Sequence, residues 1–381
     1  MSLDLQMLGA KLRRFRNQVD AALSEVSAST GISEQLLDDY ELARREPTGD
    51  EILILADYYK CDYKFFISNE KLAAFEQTET LFRKYSAELS KADRWAILEL
   101  LFLCECEEYL LKVLPSQKRS AFQFKKSGTH FKTHGAEAAF ALRRHLGYEA
   151  KAVPMDVYHD FRSIGCHVFR RRLANSTISG LCLRHPVAGN CILVNYSEDV
   201  YRQRFTAAHE VAHAILDDDQ DVIVSFTSDK GNLSEIRANV FASRYLMPPE
   251  FLRMIPAPKQ WDRQKAVDWA SKLKVSTESL AYALKDENLI SNEQENEIKA
   301  VKVPSEMKSD PELPLTLSPK VRQRREEFLI RGLPMFYIDR CFEAYDLGVV
   351  SAGRLAEMLL AKDDDLPAIA ELYGKRLNHE D

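Results

Sequence analysis

The feature that most constrains this chain is a pair of histidines, His209 and His213, in a segment with the apolar spacing of a buried helix. Side chains four residues apart lie one turn apart on the same helix face, so both imidazoles can bind a single Zn²⁺ ion. Glu210 completes an HExxH motif and can take a proton from the water that such an ion activates. Two exposed histidines on a solvated helix are the alternative, which the apolar neighbours disfavour: Phe205, Ala208, Ala212 and Ile215.

A catalytic zinc site needs a third protein ligand and one open position. We predict Glu235 as this ligand, since it lies 22 residues after His213 at the start of the next helix, and a reversing loop can bring it back. Asn239 follows one turn later and can orient a histidine ligand. Two alternatives stay open: Asp217 continues the helical series of the histidines, and Glu235 has the spacing of a helix-capping carboxylate.

Composition excludes several classes of protein. The 381 residues carry 52 Lys and Arg against 58 Asp and Glu, a net charge of −6, which excludes a protein that coats nucleic acid by bulk charge. Seven cysteines without a CxxC pair, and a start that lacks an apolar leader, predict a cytoplasmic protein. The most apolar stretch, 95–114, contains four glutamates, so we predict a buried helix and no membrane partner.

The pattern along the chain predicts a mainly α fold with a small antiparallel β-sheet (α+β). Short β-branched or alternating runs at 165–173, 177–185 and 191–197 predict about three strands, flanked by helical spacing. The predicted domains are a helix-turn-helix (1–70), a helical connector with a basic loop (71–135), a zinc domain (136–250), a helical extension (251–292), a linker (293–318) and a helical C-terminal region (319–381).

Residues 136–290 resemble the ImmA/IrrE family of zinc metallopeptidases. The resemblance is carried by motifs in the family's order: Phe205, His209, Glu210, His213, Glu235, Ala238, Asn239, Phe241, Ala242, Met247 and Pro248. It implies that Glu235 is the third zinc ligand and that the substrate is a protein. Members of the family cleave helix-turn-helix repressors and so release stress, mobile-element or phage-defence genes, and they carry a helical domain after the zinc domain.

Residues 8–68 resemble the phage-repressor-like (XRE) helix-turn-helix domain, with Gly31 at the turn and Glu41 at the end of the recognition helix. Residues 1–70 nevertheless hold 8 basic and 13 acidic residues, and acidic groups on the recognition helix would repel DNA phosphates. Binding of double-stranded DNA and docking to a protein both stay open for this domain. The predicted contacts are Arg16, Gln35, Arg44 and Arg45.

A second electrostatic feature is the stretch 117–146, which contains seven basic residues and one acidic residue. Phe122, Phe124 and Phe131 lie between the basic residues. Positive charge with aromatic rings suits single-stranded nucleic acid, whose bases can stack on the rings. The alternative is a solvated loop whose phenylalanines pack on the protein body. The predicted nucleic-acid contacts are Lys118, Arg119, Lys125, Lys126 and Lys132.

Two functions follow as hypotheses. The first is a zinc endopeptidase that cleaves a repressor encoded nearby, with the peptide added to the edge of the strand Cys191–Tyr196 or its neighbour. The second is a DNA-binding regulator whose metal domain is a sensor and not a protease. A homodimer is compatible with either hypothesis.

Overall fold

The computed structural model describes residues 3–61, 63–68, 73–115, 119–128, 130–217, 220–227, 232–257 and 260–377, except for the side chains of 73–77 and 79. Its N-terminal half contains α1 (Leu5–Gln18), α2 (Leu23–Thr30), α3 (Glu34–Glu41), α4 (Gly49–Tyr58), α5 (Tyr63–Ile67), α6 (Ala73–Lys84), α7 (Lys91–Val113), α8 (Phe131–His145) and α9 (Val157–Ser163). Four strands and helices α10 and α11 follow: β1 (Cys166–Arg171), β2 (Ile178–His185), β3 (Gly189–Asn195), α10 (Val200–Leu216), β4 (Val222–Phe226) and α11 (Leu233–Leu246).

The remaining helices extend from the end of α11 to the C-terminal region. They are α12 (Pro249–Leu252), α13 (Arg263–Leu273), α14 (Thr277–Asp286), α15 (Asn292–Ala300), α16 (Pro319–Ile330), α17 (Met335–Asp346), α18 (Ala352–Met358) and α19 (Leu366–Tyr373), with single 3-10 turns at Ser305–Met307 and Asp363–Asp365. Among the described residues, no helix combines the length and the apolar character that a membrane-spanning segment needs.

The predicted fold class, mainly α with a small sheet, is confirmed, but the sheet differs in two respects. It has a fourth strand, β4, and the order is β1-β3-β2-β4. β3 is antiparallel to β2 but parallel to β1, with Val168 opposite Ile192, so the sheet is mixed. Pattern alone cannot give strand direction, because a two-residue alternation reads the same in both orientations.

Both faces of the sheet are buried, and alternate residues belong to different cores. Leu181 and Leu193 pack with α7 on one face. Cys182 and Ile192 pack with α10 on the other face. Successive side chains of a strand point to opposite sides, so the two central strands separate the helix that carries the histidines from α7.

Helix α7 is held against the sheet by polar contacts as well as by apolar packing. Glu107 accepts a hydrogen bond from His167 Nδ1 at 2.9 Å, and Glu105 lies 3.1 Å from His185 Nε2. Glu99 forms an ion pair with Arg171, the last residue of β1. These contacts fix the register of α7 along the sheet.

The N-terminal helices contain the predicted helix–turn–helix arrangement and pack on α7. Gly31 ends α2 with φ +75°, a left-handed conformation that glycine adopts without steric cost, and Ser33 caps α3. Arg94 of α7 donates a hydrogen bond to the carbonyl of Gln18 at 3.1 Å. Assignment of these helices to the XRE type stays a prediction.

The segment 293–318 contains more structure than a flexible connection. Its first part belongs to α15, and Asp310 is buried and forms a two-bond ion pair with Arg170, at 2.7 and 3.0 Å. The predicted domain boundaries stay predictions.

Candidate metal centre and active site

Helix α10 lies between the sheet and α11, and it carries both histidines of the motif. His213 is fully buried and His209 is nearly so, because alanines at 207, 208, 212 and 214 let the neighbouring elements approach closely. Asp199 caps the start of α10 by accepting a hydrogen bond from Tyr201 N. The two histidines are therefore held on a rigid element.

Three of the predicted residues converge on one point. His209 Nε2 lies 3.0 Å from Glu235 Oε2, and His213 Nε2 lies 3.2 Å from Glu235 Oε1. The two Nε2 atoms are 3.1 Å apart. Among the described residues, this is the group of His, Cys, Asp and Glu side chains whose ligand atoms lie close enough to hold one ion. Two imidazole nitrogens and a carboxylate are a donor set that suits Zn²⁺.

The outer nitrogens of both histidines are occupied. Asn239 Oδ1 lies 3.0 Å from His209 Nδ1, as predicted for an orienting residue. Asp217 Oδ2 lies 2.7 Å from His213 Nδ1, and Arg237 in turn pairs with Asp217. Both acceptors require a proton on Nδ1, so Nε2 is the nitrogen of each ring that can bind an ion once its own proton is lost. Asp217 thus lies behind His213 and outside the group of three.

The centre pairs a buried carboxylate with positive charge. Burial raises the pKa of Glu235, but hydrogen bonds from His209 and His213 outweigh it and lower this pKa to about 2. Burial lowers the pKa of His213, and hydrogen bonds to Asp217 and Glu235 outweigh it and raise this pKa to about 10. A buried carboxylate here is stabilised by positive charge, which a divalent ion can supply.

Glu210 is fully buried, and neither of its carboxylate oxygens has a hydrogen-bond partner within the described part of the protein. Burial raises its pKa, although the two histidines and Ser225 oppose the shift. The Ser225 hydroxyl is also without a hydrogen bond. A buried, unpartnered carboxylate next to a ligand group fits a site completed by an ion and a water molecule.

Glu210 also touches the backbone of the sheet, at Gly180 on β2. A Cβ atom at position 180 would lie 2.8 Å from Glu210 Oε1 and 2.9 Å from the carbonyl oxygen of Leu193. Sequence reasoning did not identify this glycine as part of the site, although a glycine inside a strand is a recognised indication of close approach.

A cleft of about 420 Å³ is lined by His209 and Glu235, two of the three converging side chains. β4 lines one side, with Ser225 and Phe226, and the start of α14 lines another, with Ser276 and Ser279. Space for an extended peptide therefore exists beside the metal-ligand group.

The prediction that the strand Cys191–Tyr196 offers a free edge is wrong. β3 pairs with β1 on one side and with β2 on the other. Its neighbour β1 is at an edge, but Arg172 N, directly after β1, donates a hydrogen bond to the carbonyl of Ile330, so the end of α16 lies against one end of that edge. The edge beside the cleft belongs to β4, which the sequence analysis did not predict.

Two of the four residues predicted to contact DNA, Arg16 and Arg44, form ion pairs. Arg16 binds Glu41 with two hydrogen bonds, at 2.6 and 2.8 Å, and Glu41 is buried. Arg44 lies 3.4 Å from Asp38 and from Asp39. Gln35 and Arg45 are exposed. DNA contact by these four residues stays a prediction.

Residues of the predicted basic patch take separate positions. Lys118 lies outside the described residues. Arg119 pairs with Glu108 at 2.8 Å, and Lys126 donates a hydrogen bond to the carbonyl of Leu216, the last residue of α10, at 2.7 Å. Lys125 and Lys132 are exposed. Two of the interleaved phenylalanines, Phe122 and Phe124, pack against the core around α10, as in the loop alternative. Nucleic-acid binding by this stretch stays a prediction.

Comparison with known proteins points to the same chemistry as the geometry. Residues 161–285 match the family model of the IrrE N-terminal-like domain. The chain is also 36% identical, over 104 residues, to the radiation response metalloprotease IrrE of Deinococcus radiodurans. That alignment covers 26% of this chain and 31% of the relative's length, so less than a third of the relative is represented. Residues 161–285, which contain the buried His-His-Glu group, are therefore similar to the N-terminal domain of IrrE, and the matched relative is a metalloprotease.

Proposed function

We propose that this chain is a zinc-dependent endopeptidase that cleaves a partner protein, and that the partner is a helix-turn-helix transcriptional repressor. One observation carries the proposal: the ligand atoms of His209, His213 and Glu235 lie within 4.8 Å of one another, beside a Glu210 carboxylate that has no hydrogen-bond partner among the described residues. A site that only stored a metal ion would have no use for a buried, unsatisfied carboxylate, whose desolvation is costly.

In this proposal His209, His213 and Glu235 hold Zn²⁺. The ion supplies Lewis acidity, which polarises the scissile carbonyl and makes water a better nucleophile at neutral pH. Glu210 removes the proton of the attacking water and later returns it to the leaving amine. The raised pKa of Glu210 suits this role, because a carboxylate whose pKa lies nearer to the working pH is a stronger base towards water and can still return the proton to the amine.

Substrate placement follows from the cleft walls. The outer edge of β4 can pair with an extended peptide through main-chain hydrogen bonds, and such pairing makes few demands on the peptide sequence. Phe205 and Phe226 also line this cleft and can contact apolar side chains of the substrate. A segment of the repressor that can adopt an extended conformation is therefore the expected cleavage site.

Support for a repressor as the substrate comes from the family resemblance and from the N-terminal helices. Docking by α1–α5 of this chain would bring a second helix-turn-helix protein close to the peptidase domain. Cleavage of the repressor would allow the genes that it represses to be expressed. These genes would belong to a stress, mobile-element or phage-defence response, as in the family.

The experiment compares zinc-loaded wild type with the Glu210→Gln variant on the repressor encoded by the adjacent gene. Cleavage is followed by mass spectrometry, with a chelator-treated sample and the Glu137→Gln variant, which replaces an exposed glutamate of α8, as controls. We expect defined products from wild type and Glu137→Gln, and none from Glu210→Gln despite retained zinc. Cleavage by Glu210→Gln would exclude its role as the base.

The alternative function, a DNA-binding regulator with a metal-dependent sensor, makes the opposite prediction in cells. Derepression would survive Glu210→Gln and would be lost when the exposed Gln35 and Arg45 of the helix-turn-helix are replaced. Mapping of new protein N-termini that depend on Glu210 separates the two functions even where the adjacent gene encodes no repressor.

A further inference from the structure

A second cleft, of about 560 Å³, lies between the N-terminal helices and the α6–α7 region, and the peptidase proposal makes no use of it. Its walls include residues from α1, from the end of α3, and from the helices on either side of Leu89. Four arginines line it: Arg13, Arg14, Arg83 and Arg94. Amides add neutral hydrogen-bonding groups, among them Asn17 and Gln18.

The positive charge in this cleft contrasts with its surroundings. Residues 1–70 carry five more acidic than basic residues, yet among the side chains that the structure describes, Glu41 is the acid that lines the cleft. That carboxylate already forms its two short hydrogen bonds with Arg16. It is therefore largely neutralised before the four cleft arginines are considered.

Two of the arginines hold their charge in positions suited to a ligand. Arg94 donates hydrogen bonds to the carbonyls of Gln18 and Leu89, at 3.1 and 3.4 Å, and neutral carbonyls orient the guanidinium without neutralising it. The Arg13 side chain is 48% exposed and lies 3.6 Å from Glu41, a distance longer than a hydrogen bond. Guanidinium groups are well matched to phosphate oxygens, which accept two parallel hydrogen bonds.

Gln18 gives an independent indication that a partner is missing. It is 6% exposed, lines the cleft, and has no hydrogen-bond partner at either amide atom. Burying an amide without a hydrogen-bond partner is costly, so native proteins usually pair it. A ligand with both acceptors and donors can satisfy the Gln18 oxygen and nitrogen together.

We propose that this cleft binds a small phosphate-bearing organic ligand of about mononucleotide size. Its phosphates would contact Arg13 and Arg94, and its polar organic part would reach the Gln18 amide. The ligand would bridge α1 and α7, and α7 is the helix that Glu105 and Glu107 hold against the sheet behind the metal centre. This inference does not rest on the peptidase function.

The test measures binding by isothermal titration calorimetry on the full chain. The probes are inorganic pyrophosphate, which carries the phosphate chemistry alone, ADP, which adds an organic part, and a short double-stranded DNA. We expect ADP to bind more tightly than pyrophosphate, with affinity falling at least ten-fold in Arg13→Ala. The matched control Arg263→Ala removes an exposed arginine of α13, outside the cleft lining, and should leave binding unchanged.

The Gln18→Leu variant keeps the size of the side chain and removes the unpartnered amide. We expect it to unfold at the same or a higher temperature without ligand, since no hydrogen bond is lost, and to bind ADP at least ten-fold more weakly. Failure of both pyrophosphate and ADP to bind at millimolar concentration would overturn the proposal. So would DNA that displaces ADP and binds more tightly through Arg13, since the cleft would then be part of a polynucleotide surface.

Discussion

Gly180 lies against the carboxylate of Glu210, so closely that a single methyl group at position 180 would come within 2.8 Å of Glu210 Oε1. The same methyl group would meet Thr206 and the backbone of β3 at 2.9 Å. Neither the carbonyl of Leu193 nor a helix packed on the sheet can move away freely. The absence of a side chain at position 180 therefore sets where the Glu210 carboxylate can lie.

We predict that Gly180→Ala lowers proteolytic activity at least ten-fold and destabilises the fold by about 1–3 kcal/mol, the usual cost of overpacking. Activity and denaturant unfolding are measured on the same preparation. Gly353→Ala is the matched control, because a Cβ atom there meets nothing within 4 Å and a helical glycine gains stability on replacement by alanine. Full activity of Gly180→Ala would show that Glu210 tolerates displacement.

The hydrogen bond between His213 and Asp217 leads to a prediction about metal affinity. Asp217→Asn replaces one carboxylate oxygen by an amide NH₂ group, so the side chain can no longer accept hydrogen bonds from both His213 Nδ1 and Arg237. We therefore expect zinc affinity to fall about 10- to 100-fold. Competition with a chromophoric chelator measures the change. Asp286→Asn, at an exposed position on α14, should retain wild-type affinity. An unchanged affinity in Asp217→Asn would mean that packing alone orients His213.

The contact between α7 and the sheet predicts a pH dependence of stability. Burial lowers the pKa of His167, but the charge and hydrogen bond of Glu107 outweigh it, and the pKa rises from 6.5 to about 9. A raised histidine pKa gives stability that is present below pH 6.5 and is lost as pH rises through 9. At about 1.4 kcal/mol per pKa unit, the loss is on the order of 3 kcal/mol.

The measurement is the free energy of unfolding from pH 6 to 9.5 for wild type and His167→Gln, and the difference between them isolates this histidine from others. We expect the difference to shrink steadily over that range. His159→Gln, which replaces an exposed histidine of α9, should follow the wild-type curve. A difference that does not vary with pH would indicate that His167 is neutral in the folded protein.

The sequence predictions were accurate for residues that lie close together along the chain and missed contacts that depend on tertiary packing. His209, Glu210 and His213 were identified correctly as neighbours because helical geometry alone places them together. Glu235 required only a chain reversal. Gly180 and the edge strand β4 were missed, since their roles depend on how the sheet packs on α10 and on which strands remain unpaired. The His167–Glu107 contact joins residues 60 positions apart, and no local pattern predicts it.

The ion pair of Arg16 with Glu41 predicts that this arginine stabilises the N-terminal helices. Arg16→Ala removes two short hydrogen bonds from the buried Glu41 carboxylate and leaves it the longer contact with Arg13, so we expect a loss of about 2–3 kcal/mol in the free energy of unfolding. The control Arg45→Ala removes an exposed side chain and should change the free energy of unfolding by less than about 0.5 kcal/mol. If Arg16→Ala weakens DNA binding without any loss of stability, Arg16 contacts DNA as the sequence analysis predicted.

Lys125 and Lys126 are adjacent in the basic stretch, and their different contacts allow a matched comparison. Lys126 donates a hydrogen bond to the last carbonyl of α10, where positive charge also stabilises the helix dipole, so Lys126→Ala should cost about 1 kcal/mol. Lys125 is exposed, and Lys125→Ala should change stability by less than about 0.5 kcal/mol. Thermal unfolding and binding of a fluorescent single-stranded oligonucleotide are measured for both variants. Equal stability of the two variants, together with equal loss of oligonucleotide binding, would show that both lysines belong to a nucleic-acid surface. Lys126 would then not stabilise the end of α10.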